Sequence, residues 1–208
     1  MDLLEGGGVA VQQFRARCGA FFQSLWPAER KILVYGDGRE EHPPVMLIGE
    51  APGEQETLQG RPFVGKAGRN LDGFLQAVGL RREEIYISNV VKIRPTKVSP
   101  KGSVSNRPPS REELMLFTPW LYEEILLVQP QRIVTLGNVA LQALMGRDAV
   151  IGACHGRSQQ AEVRHEGRAQ AFEVFPLYHP ASIIYHRALT EVYARDLAVL
   201  RALLDGDN

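Results

Sequence analysis

Strand-length apolar runs that alternate with helical patterns predict an α/β fold with a mainly parallel sheet. Four short apolar or β-branched segments predict strands at 45–49, 84–91, 132–136 and 172–177. Apolar residues at helical spacing predict helices over 9–28, 67–80, 109–130 and the end of the 172–204 segment. Residues 150–175 alternate more loosely, which leaves open whether they form one strand or two.

Local signals mark the ends of two predicted helices. Gly79 follows the apolar face of 67–80 and predicts a C-cap. Ser110 followed by Glu113 is a capping pattern at the start of 109–130. Pro119 falls inside that segment, so we expect a kink there or a break into two helices.

Size and composition are typical of a globular protein. The 208 residues are 44% hydrophobic and 23% charged. We expect one domain over 1–208, with residues 1–44 as an N-terminal helical segment packed on it. Prolines, glycines and serines crowd residues 92–109, which predicts a long functional loop.

Other features of the sequence indicate the cellular compartment of the protein. Its apolar runs fall far short of the ~18 residues that a membrane span requires. The N-terminus has Asp2 and lacks the basic region of a secretory signal. Two cysteines cannot build a disulfide framework or a four-thiolate metal site. We expect a cytoplasmic monomer with reduced thiols and no membrane association.

Charge is balanced overall but uneven along the chain. The 24 basic and 24 acidic residues argue against a protein that coats nucleic acid over its whole surface. Residues 85–111 nevertheless contain six lysines and arginines and no acid, and residues 174–190 are also free of acids. Local contact with an anionic partner therefore remains open.

Residues able to bind a ligand occur in the loops after the predicted strands, where parallel sheets bind ligands. The glycine-rich loop 49–68 offers backbone N–H groups and the ring of Phe63. Asn89 ends the second strand, and His179 follows the fourth. An aromatic face, an amide and one histidine suit a flat heterocycle better than nucleophilic catalysis. Beside a basic loop, we hypothesise that this heterocycle is a base flipped out of a nucleic acid.

Three segments resemble the signatures of a known family. "GEAPGEQETLQGRPFVGKAG" (49–68), "YISNVVKIRP" (86–95) and "YHPAS" (178–182) resemble those of the uracil-DNA glycosylase superfamily, most closely its family 4. The likeness runs from about residue 45 to the C-terminus. It implies a three-layer α/β/α sandwich with a central, mainly parallel four-stranded sheet. It also implies a hydrolase that excises uracil from DNA at the N-glycosidic bond and starts base excision repair.

The resemblance assigns roles around the base. Phe63 would stack on the flipped uracil, and Asn89 would read its O4 and N3–H with one amide. His179 would donate to O2 as negative charge develops there. The backbone around Glu50 and Ala51 would add donors to the same base.

The resemblance also implies acidic catalytic groups and a DNA surface. Glu50 and Glu56 join His179 as predicted catalytic residues, with Glu56 near the C5 edge or the attacking water. The loop 182–189 would enter the minor groove and fill the vacated stack. The predicted DNA-contacting residues are Lys92, Arg94, Arg107, Ser182, Ile183, Tyr185, His186 and Arg187.

The chain departs from family 4 at its metal site. That family binds a 4Fe–4S cluster through four cysteines, but Ile93 and Thr118 stand at two of those positions and Cys18 has no neighbouring cysteine. Two cysteines cannot supply four thiolates, so we expect no metal and no cofactor. We expect apolar packing to brace residues 9–45 and 92–120 instead.

Two further departures concern the reaction. Thr57 stands where family 4 usually has an aspartate. A related branch traps the abasic sugar through a histidine after the second motif. No histidine occurs between His42 and His155, and Asn106 is the nearest counterpart. We therefore predict a monofunctional enzyme without covalent trapping.

Three functions remain open from the sequence. The leading hypothesis is a glycosylase for uracil in DNA. The same pocket would also fit another deaminated base, hypoxanthine or xanthine. The third hypothesis is a DNA- or base-binding module with weak catalysis.

Overall fold

The structure is a computed structural model that describes residues 6–29, 31–185 and 188–206. Helices α1 to α8 span Gly6–Leu25, Glu54–Gln59, Lys66–Val78, Arg111–Val128, Asn138–Met145, Ile151–Cys154, Pro180–Tyr185 and Leu189–Gly206. Strands β1 to β8 span Asp37–Gly38, Val45–Gly49, Tyr86–Asn89, Thr96–Val98, Val104–Asn106, Arg132–Leu136, Gln159–His165 and Arg168–Leu177.

The main sheet has six strands in the order β1-β3-β2-β6-β8-β7. Its four central strands are parallel and are the four predicted from the sequence. An antiparallel strand at each edge, β1 and β7, makes the sheet wider than predicted. β1 is two residues long, too short to show a pattern. β7 forms a hairpin with β8 inside the loosely alternating stretch, which therefore holds two strands.

Strand alternation builds a core on each face of the sheet. In β2, Val45 and Leu47 point to one core, and Met46 and Ile48 point to the other. The first core packs α3 and α8 against the sheet, and the second packs α1, α4 and α5. Successive side chains of a strand point to opposite faces of the sheet, so a strand with apolar residues at every position needs helices on both faces to cover them. The predicted three-layer α/β/α sandwich is confirmed.

Both predicted helix caps are present. Gly79 adopts φ 77° after α3, a conformation that favours glycine. At the start of α4, the Glu113 N–H donates to Ser110 Oγ (3.2 Å), and the Ser110 N–H donates to the Glu113 carboxylate (2.7 Å). None of the helices in the described ranges combines the length and apolar character needed to cross a membrane.

Pro119 does not break α4, which runs as one helix over Arg111–Val128. Of the two alternatives expected at Pro119, the break into two helices is therefore excluded. Pro119 lies on the exposed face of α4. There, water can satisfy the carbonyl that lacks an N–H partner.

The predicted long loop 92–109 contains a small hairpin of β4 and β5. Its turn is closed by Ser99 and Ser103, whose hydroxyls lie 2.7 Å apart, and Gly102 adopts φ 81°. Three-residue strands of mixed polarity give no period that the sequence could show. The hairpin matters because it carries Asn106 toward the carboxyl edge of the main sheet.

The order of the parallel strands creates a switch point at β2. The chain passes from β2 to β3 on one side, and later enters β6 on the other side of β2. The chain leaves β2 toward β3 and leaves β6 toward β8, and connections that diverge in this way open a crevice at the carboxyl ends of β2 and β6. The glycine-rich loop follows β2 at this point.

Candidate active site

A cavity of about 320 Å³ opens at the carboxyl edge of the parallel strands. Its volume is within the range of small-molecule sites. The loops after β2, β3 and β8 and the β4–β5 hairpin form its wall. Five predicted site residues line it together: Ala51, Glu56, Phe63, Asn89 and His179.

Gly49 allows the ring of Phe63 and the side-chain amide of Asn89 to approach the same point of the backbone. A Cβ at Gly49 would lie 2.5 Å from Phe63 Cζ and 2.5 Å from Asn89 Oδ1, closer than atoms can pack. Phe63 is 5% exposed and has φ 53°, an unusual backbone conformation for a residue with a bulky side chain. Its carbonyl accepts a hydrogen bond from Arg82 Nη1 (3.0 Å), which helps to hold the loop. Phe63 and Asn89 therefore pack together at Gly49 and form the floor of the cavity.

Asn89 is 3% exposed and is held through its backbone. Its carbonyl accepts a hydrogen bond from Lys92 Nζ (2.7 Å). In the described part of the chain, the side-chain amide of Asn89 has no hydrogen-bond partner, although it lines the cavity. Because the amide faces the cavity, a ligand there can use both its donor and its acceptor. The amide is therefore well placed to bind a ligand edge with one donor and one acceptor.

A buried ion pair lies beneath Asn89. Lys92 Nζ contacts a Glu124 oxygen at 2.5 Å, and both side chains have no exposed surface. Glu124 also accepts hydrogen bonds from Tyr86 Oη (2.9 Å) and Ser88 Oγ (2.8 Å). Burial, followed by the negative charge of Glu124, raises the pKa of Tyr86 well above its ordinary value, so this hydroxyl stays a donor. The network ties α4 to the end of β3.

This burial corrects the prediction that Lys92 contacts DNA. A lysine without exposed surface cannot reach a phosphate, and its charge is already paired with Glu124. The acid-free run around Lys92 gave no sign of this partner, since Glu124 lies 32 residues further along the chain.

His179 is held as a neutral hydrogen-bond donor. The Ala181 N–H donates to His179 Nδ1 (3.1 Å), so the proton of the neutral ring is on Nε2. Burial lowers the pKa of His179, which favours that neutral form. Its ring centroid lies 6.0 Å from that of Phe63, with 28° between the planes. Gly137, with φ 86°, leaves room behind it, since a Cβ there would lie 3.3 Å from His179 Cβ.

Glu56 shapes the glycine-rich loop. One carboxylate oxygen accepts hydrogen bonds from the Val64 N–H (3.1 Å) and the Gly65 N–H (2.7 Å), and the other accepts one from the Gly53 N–H (3.1 Å). It thereby joins the beginning of α2 to the turn that precedes α3. These contacts give Glu56 a structural role in the loop, and its predicted catalytic role stays a prediction. Thr57 donates to the Gly53 carbonyl (2.8 Å), so it too serves the loop.

Replacing Glu56 with glutamine should destabilise the protein by about 1–3 kcal/mol. Glutamine offers one acceptor oxygen to three N–H donors, so buried donors lose their partner. Urea unfolding followed by circular dichroism measures the change. Glu54→Gln is the matched control, because Glu54 is exposed on the same helix. Equal stability of the two variants would contradict the role given to Glu56.

Glu50 lies beside the cavity, and its side chain is not part of the lining that the structure describes. Its carbonyl accepts a hydrogen bond from the Val91 N–H (3.0 Å), which joins the loops after β2 and β3. Burial raises the pKa of its carboxyl group. Its predicted catalytic role stays a prediction.

The predicted DNA-contacting residues fall into different groups. Arg94 bonds to two residues of the cavity wall: its Nε donates to Asn106 Oδ1 (2.7 Å), and its Nη1 donates to Glu54 Oε1 (3.1 Å). Arg107 instead pairs through both terminal nitrogens with Glu113 (2.6 and 2.8 Å) and fastens the hairpin to α4.

Ser182 lies in α7, and its N–H donates to the His179 carbonyl (2.8 Å). The side chains of Ile183 and Tyr185, together with residues His186 and Arg187, lie outside the described part of the structure. Their predicted insertion into the minor groove therefore stays a prediction.

Several polar residues of the wall had no predicted role in binding, among them Asn106 and Lys66. Asn106 lies close to the glycine-rich loop, since a Cβ at Gly53 would lie 3.4 Å from Asn106 Nδ2, and Lys66 brings a positive charge to the cavity. The sequence identified Asn106 only as the counterpart of a histidine in a related branch. Its position depends on the hairpin, which had no sequence signal.

The residues present do not fit a four-thiolate iron–sulfur cluster. The sequence contains only Cys18 and Cys154. Burial raises the pKa of the Cys18 thiol to about 12, far from the thiolate that a metal requires. Ile93 is 3% exposed in the apolar core, and Thr118 Oγ1 donates to the Leu114 carbonyl (2.6 Å). Within the described ranges, no three His, Cys, Asp or Glu side chains are grouped as a metal site.

Aromatic rings fill the region between α1 and α4. Phe22 stacks on Phe117 with centroids 4.3 Å apart and 14° between the planes. Phe22 also stacks on Trp26 (5.2 Å), and Phe14 packs against Trp120 (6.0 Å). Stacked and tilted rings of this kind add to the stability gained by apolar burial. This packing joins the two helices directly.

Comparisons with known proteins agree with this fold and site. The family model described as the uracil DNA glycosylase superfamily matches residues 35–201. The type-4 uracil-DNA glycosylase of Pyrobaculum aerophilum is 39% identical over 174 residues, covering 82% of each chain. That of Archaeoglobus fulgidus is 35% identical over 163 residues, covering 78% of this chain and 77% of the relative. The crystal structure of Pedobacter heparinus SMUG2 matches with a TM-score of 0.52 and 14% identity, covering 79% and 77% of the two chains.

The chain belongs to the uracil-DNA glycosylase superfamily. Membership places it among the hydrolases of N-glycosidic bonds that act in base excision repair of DNA. The resemblance inferred from the three motifs is confirmed.

Proposed function

We propose that this chain acts as a monomer that flips uracil out of DNA and hydrolyses its N-glycosidic bond without a metal or cofactor. The observation that carries the proposal is the meeting of Phe63, Asn89 and His179 in one cavity. Phe63 is a stacking surface, Asn89 offers an amide with no hydrogen-bond partner among the described residues, and His179 is a neutral donor. These are the groups that a flat base with alternating edges needs.

The proposed chemistry depends on stabilising negative charge on the base. As the glycosidic bond breaks, the sugar gains oxocarbenium character and the base becomes anionic. The Nε2–H of His179 would donate to O2, where this charge develops, and the backbone at Ala51 would add a second donor. A donor fixed before the reaction is worth about 3–4 kcal/mol to the transition state. The Ala181 N–H fixes the orientation and tautomer of the His179 ring because it donates to Nδ1.

Selectivity for uracil would come from the amide of Asn89. Uracil offers an O4 acceptor and an N3–H donor to the two ends of that amide. Cytosine reverses this order, so the same orientation would leave buried polar groups unpaired. Each unpaired group costs about 1–3 kcal/mol. The floor at Gly49 brings the amide and the stacking ring to the same base.

The proposal is tested with duplex oligonucleotides that carry uracil, hypoxanthine, xanthine or thymine, followed by alkaline cleavage at abasic sites. We expect cleavage at uracil and none at thymine. Preferential cleavage at hypoxanthine or xanthine would replace the proposed substrate. Binding without cleavage of any oligonucleotide would show a binding module instead.

Asn89→Ala should lower uracil excision by at least about tenfold, because it removes both contacts that read the base. Single-turnover rates with enzyme in excess measure the loss. Gln170→Ala is a suitable control, because Gln170 is an exposed amide residue of β8 and does not line the cavity. An unchanged rate in Asn89→Ala would remove Asn89 from the base-reading role.

A further inference from the structure

A second cavity, of about 370 Å³, lies next to the base cavity. It is formed by the end of α6, the turn that follows and the first turns of α8. The Gly156 N–H donates to the Pro176 carbonyl (2.9 Å), which holds this turn at the carboxyl end of β8. The Tyr178 ring lies 4.9 Å from the ring of His155, and the next residue, His179, lines the base cavity. Tyr178 therefore packs against the wall of the second cavity, while the next residue lines the base cavity.

Basic side chains predominate in this second cavity. His155, Arg157 and Arg195 line it, together with one acid, Asp196. Asp196 is 7% exposed, and its Oδ2 lies 2.7 Å from His155 Nδ1. The carboxylate is therefore engaged in holding the histidine ring. The backbone at Gly156 packs directly against this carboxylate. Only glycine fits there, because a Cβ at residue 156 would lie 2.2 Å from Asp196 Oδ1.

The two arginines have no acidic partner within the described ranges. Arg157 and Arg195 are both exposed, and neither forms a salt bridge there. Among the described residues, Arg195 Nε donates to the backbone carbonyl of Glu191, which carries no charge, at 3.3 Å. Other exposed arginines are paired with acids, as Arg81 is with Glu84 and Arg61 is with Asp37. Two unpaired guanidinium groups that converge on one concave surface favour an anionic ligand.

We propose that this second cavity binds a phosphodiester group of the DNA strand that carries the flipped nucleotide. The inference rests on the proposed function, which brings that strand to the neighbouring cavity. Guanidinium groups match the oxygen geometry of phosphate, and phosphate contacts fix the register of DNA on a protein. In a chain of zero net charge, such a local contact would supply the attraction that the overall charge lacks.

The test measures binding of the full-length protein to a duplex with a single 2′-fluoro-deoxyuridine, which resists cleavage. Dissociation constants are determined across a range of salt for the wild type, Arg157→Gln/Arg195→Gln and Arg201→Gln. The double variant should bind more weakly, and its slope of log K against log salt should fall by about 0.9 for each phosphate contact removed. Arg201→Gln is the matched control, because Arg201 is an exposed arginine of α8 that pairs with Asp205. In excision assays, KM should rise in the double variant while kcat stays unchanged.

Equal salt slopes in the double variant and in Arg201→Gln would overturn the phosphate site. Inorganic phosphate at constant ionic strength provides a second arm. If it binds at millimolar concentration while the DNA slope of the double variant stays that of the wild type, the cavity is a small-anion site and the inference fails. Failure of the proposed function is distinguishable, because a wild type that binds the duplex but excises no uracil would leave the salt-slope result intact.

Discussion

His179→Ala should lower kcat for uracil excision by about 100- to 1000-fold, the usual effect of removing one donor to a developing anion. The variant loses the Nε2–H, and the Ala181 N–H loses its acceptor. KM should change less, because a neutral donor binds the ground-state carbonyl only weakly compared with the anion. Single-turnover excision at saturating enzyme gives the chemical rate directly.

The pH dependence of the same reaction provides an independent check on His179. Burial lowers its pKa below the ordinary value near 6.5, so the neutral donor persists as the pH falls through 6.5. At still lower pH a second proton would occupy Nδ1, where it opposes the Ala181 N–H. Activity should therefore be lost only below pH 6.5, and this acid limb should be absent from the residual rate of His179→Ala. An acid limb above pH 6.5, or one that survives in the variant, would assign it to another group.

Lys92→Met should destabilise the protein by about 3–5 kcal/mol, because it leaves the carboxylate of Glu124 buried without its cation. Urea unfolding measures the loss. Lys97→Met is the matched control, since Lys97 is exposed and a surface change of this kind costs within about 0.5 kcal/mol. The prediction fails if the two variants are equally stable.

A second variant separates stability from positioning. Lys92→Met/Glu124→Gln removes both charges but keeps an acceptor oxygen for Tyr86, while the new amide N–H can donate to Ser88 Oγ, so it should recover part of the lost stability. The Asn89 carbonyl would still lack its Lys92 donor. We expect its excision of uracil to stay below that of the wild type when both are fully folded. Full recovery of excision would limit the ion pair to a purely structural role.

The sequence predicted those parts of the molecule in which local pattern and tertiary structure agree. The four parallel strands are continuous apolar runs because both of their faces are buried, and their ends position Asn89 and His179. The reciprocal cap of Ser110 and Glu113 is also a local property, visible in four residues.

The remaining features depend on contacts between distant segments. Lys92 was assigned to DNA because its neighbours are basic, while its partner Glu124 lies on another element. The motif around Glu56 gave no sign that its carboxylate accepts hydrogen bonds from N–H groups up to nine residues away. The β4–β5 hairpin and the two-residue β1 are too short to carry a period. No pattern along the chain indicates such partners in advance.

The floor at Gly49 also limits how this pocket can change during evolution. Residue 49 already has the smallest possible side chain, so substitution there can only reduce the space available to a base. A variant that accepts a larger base must therefore gain its room at the rim, where residues such as Ala51 and Asn106 line the opening. The recognition of new lesions would then arise from loop and hairpin mutations, while the floor stays unchanged.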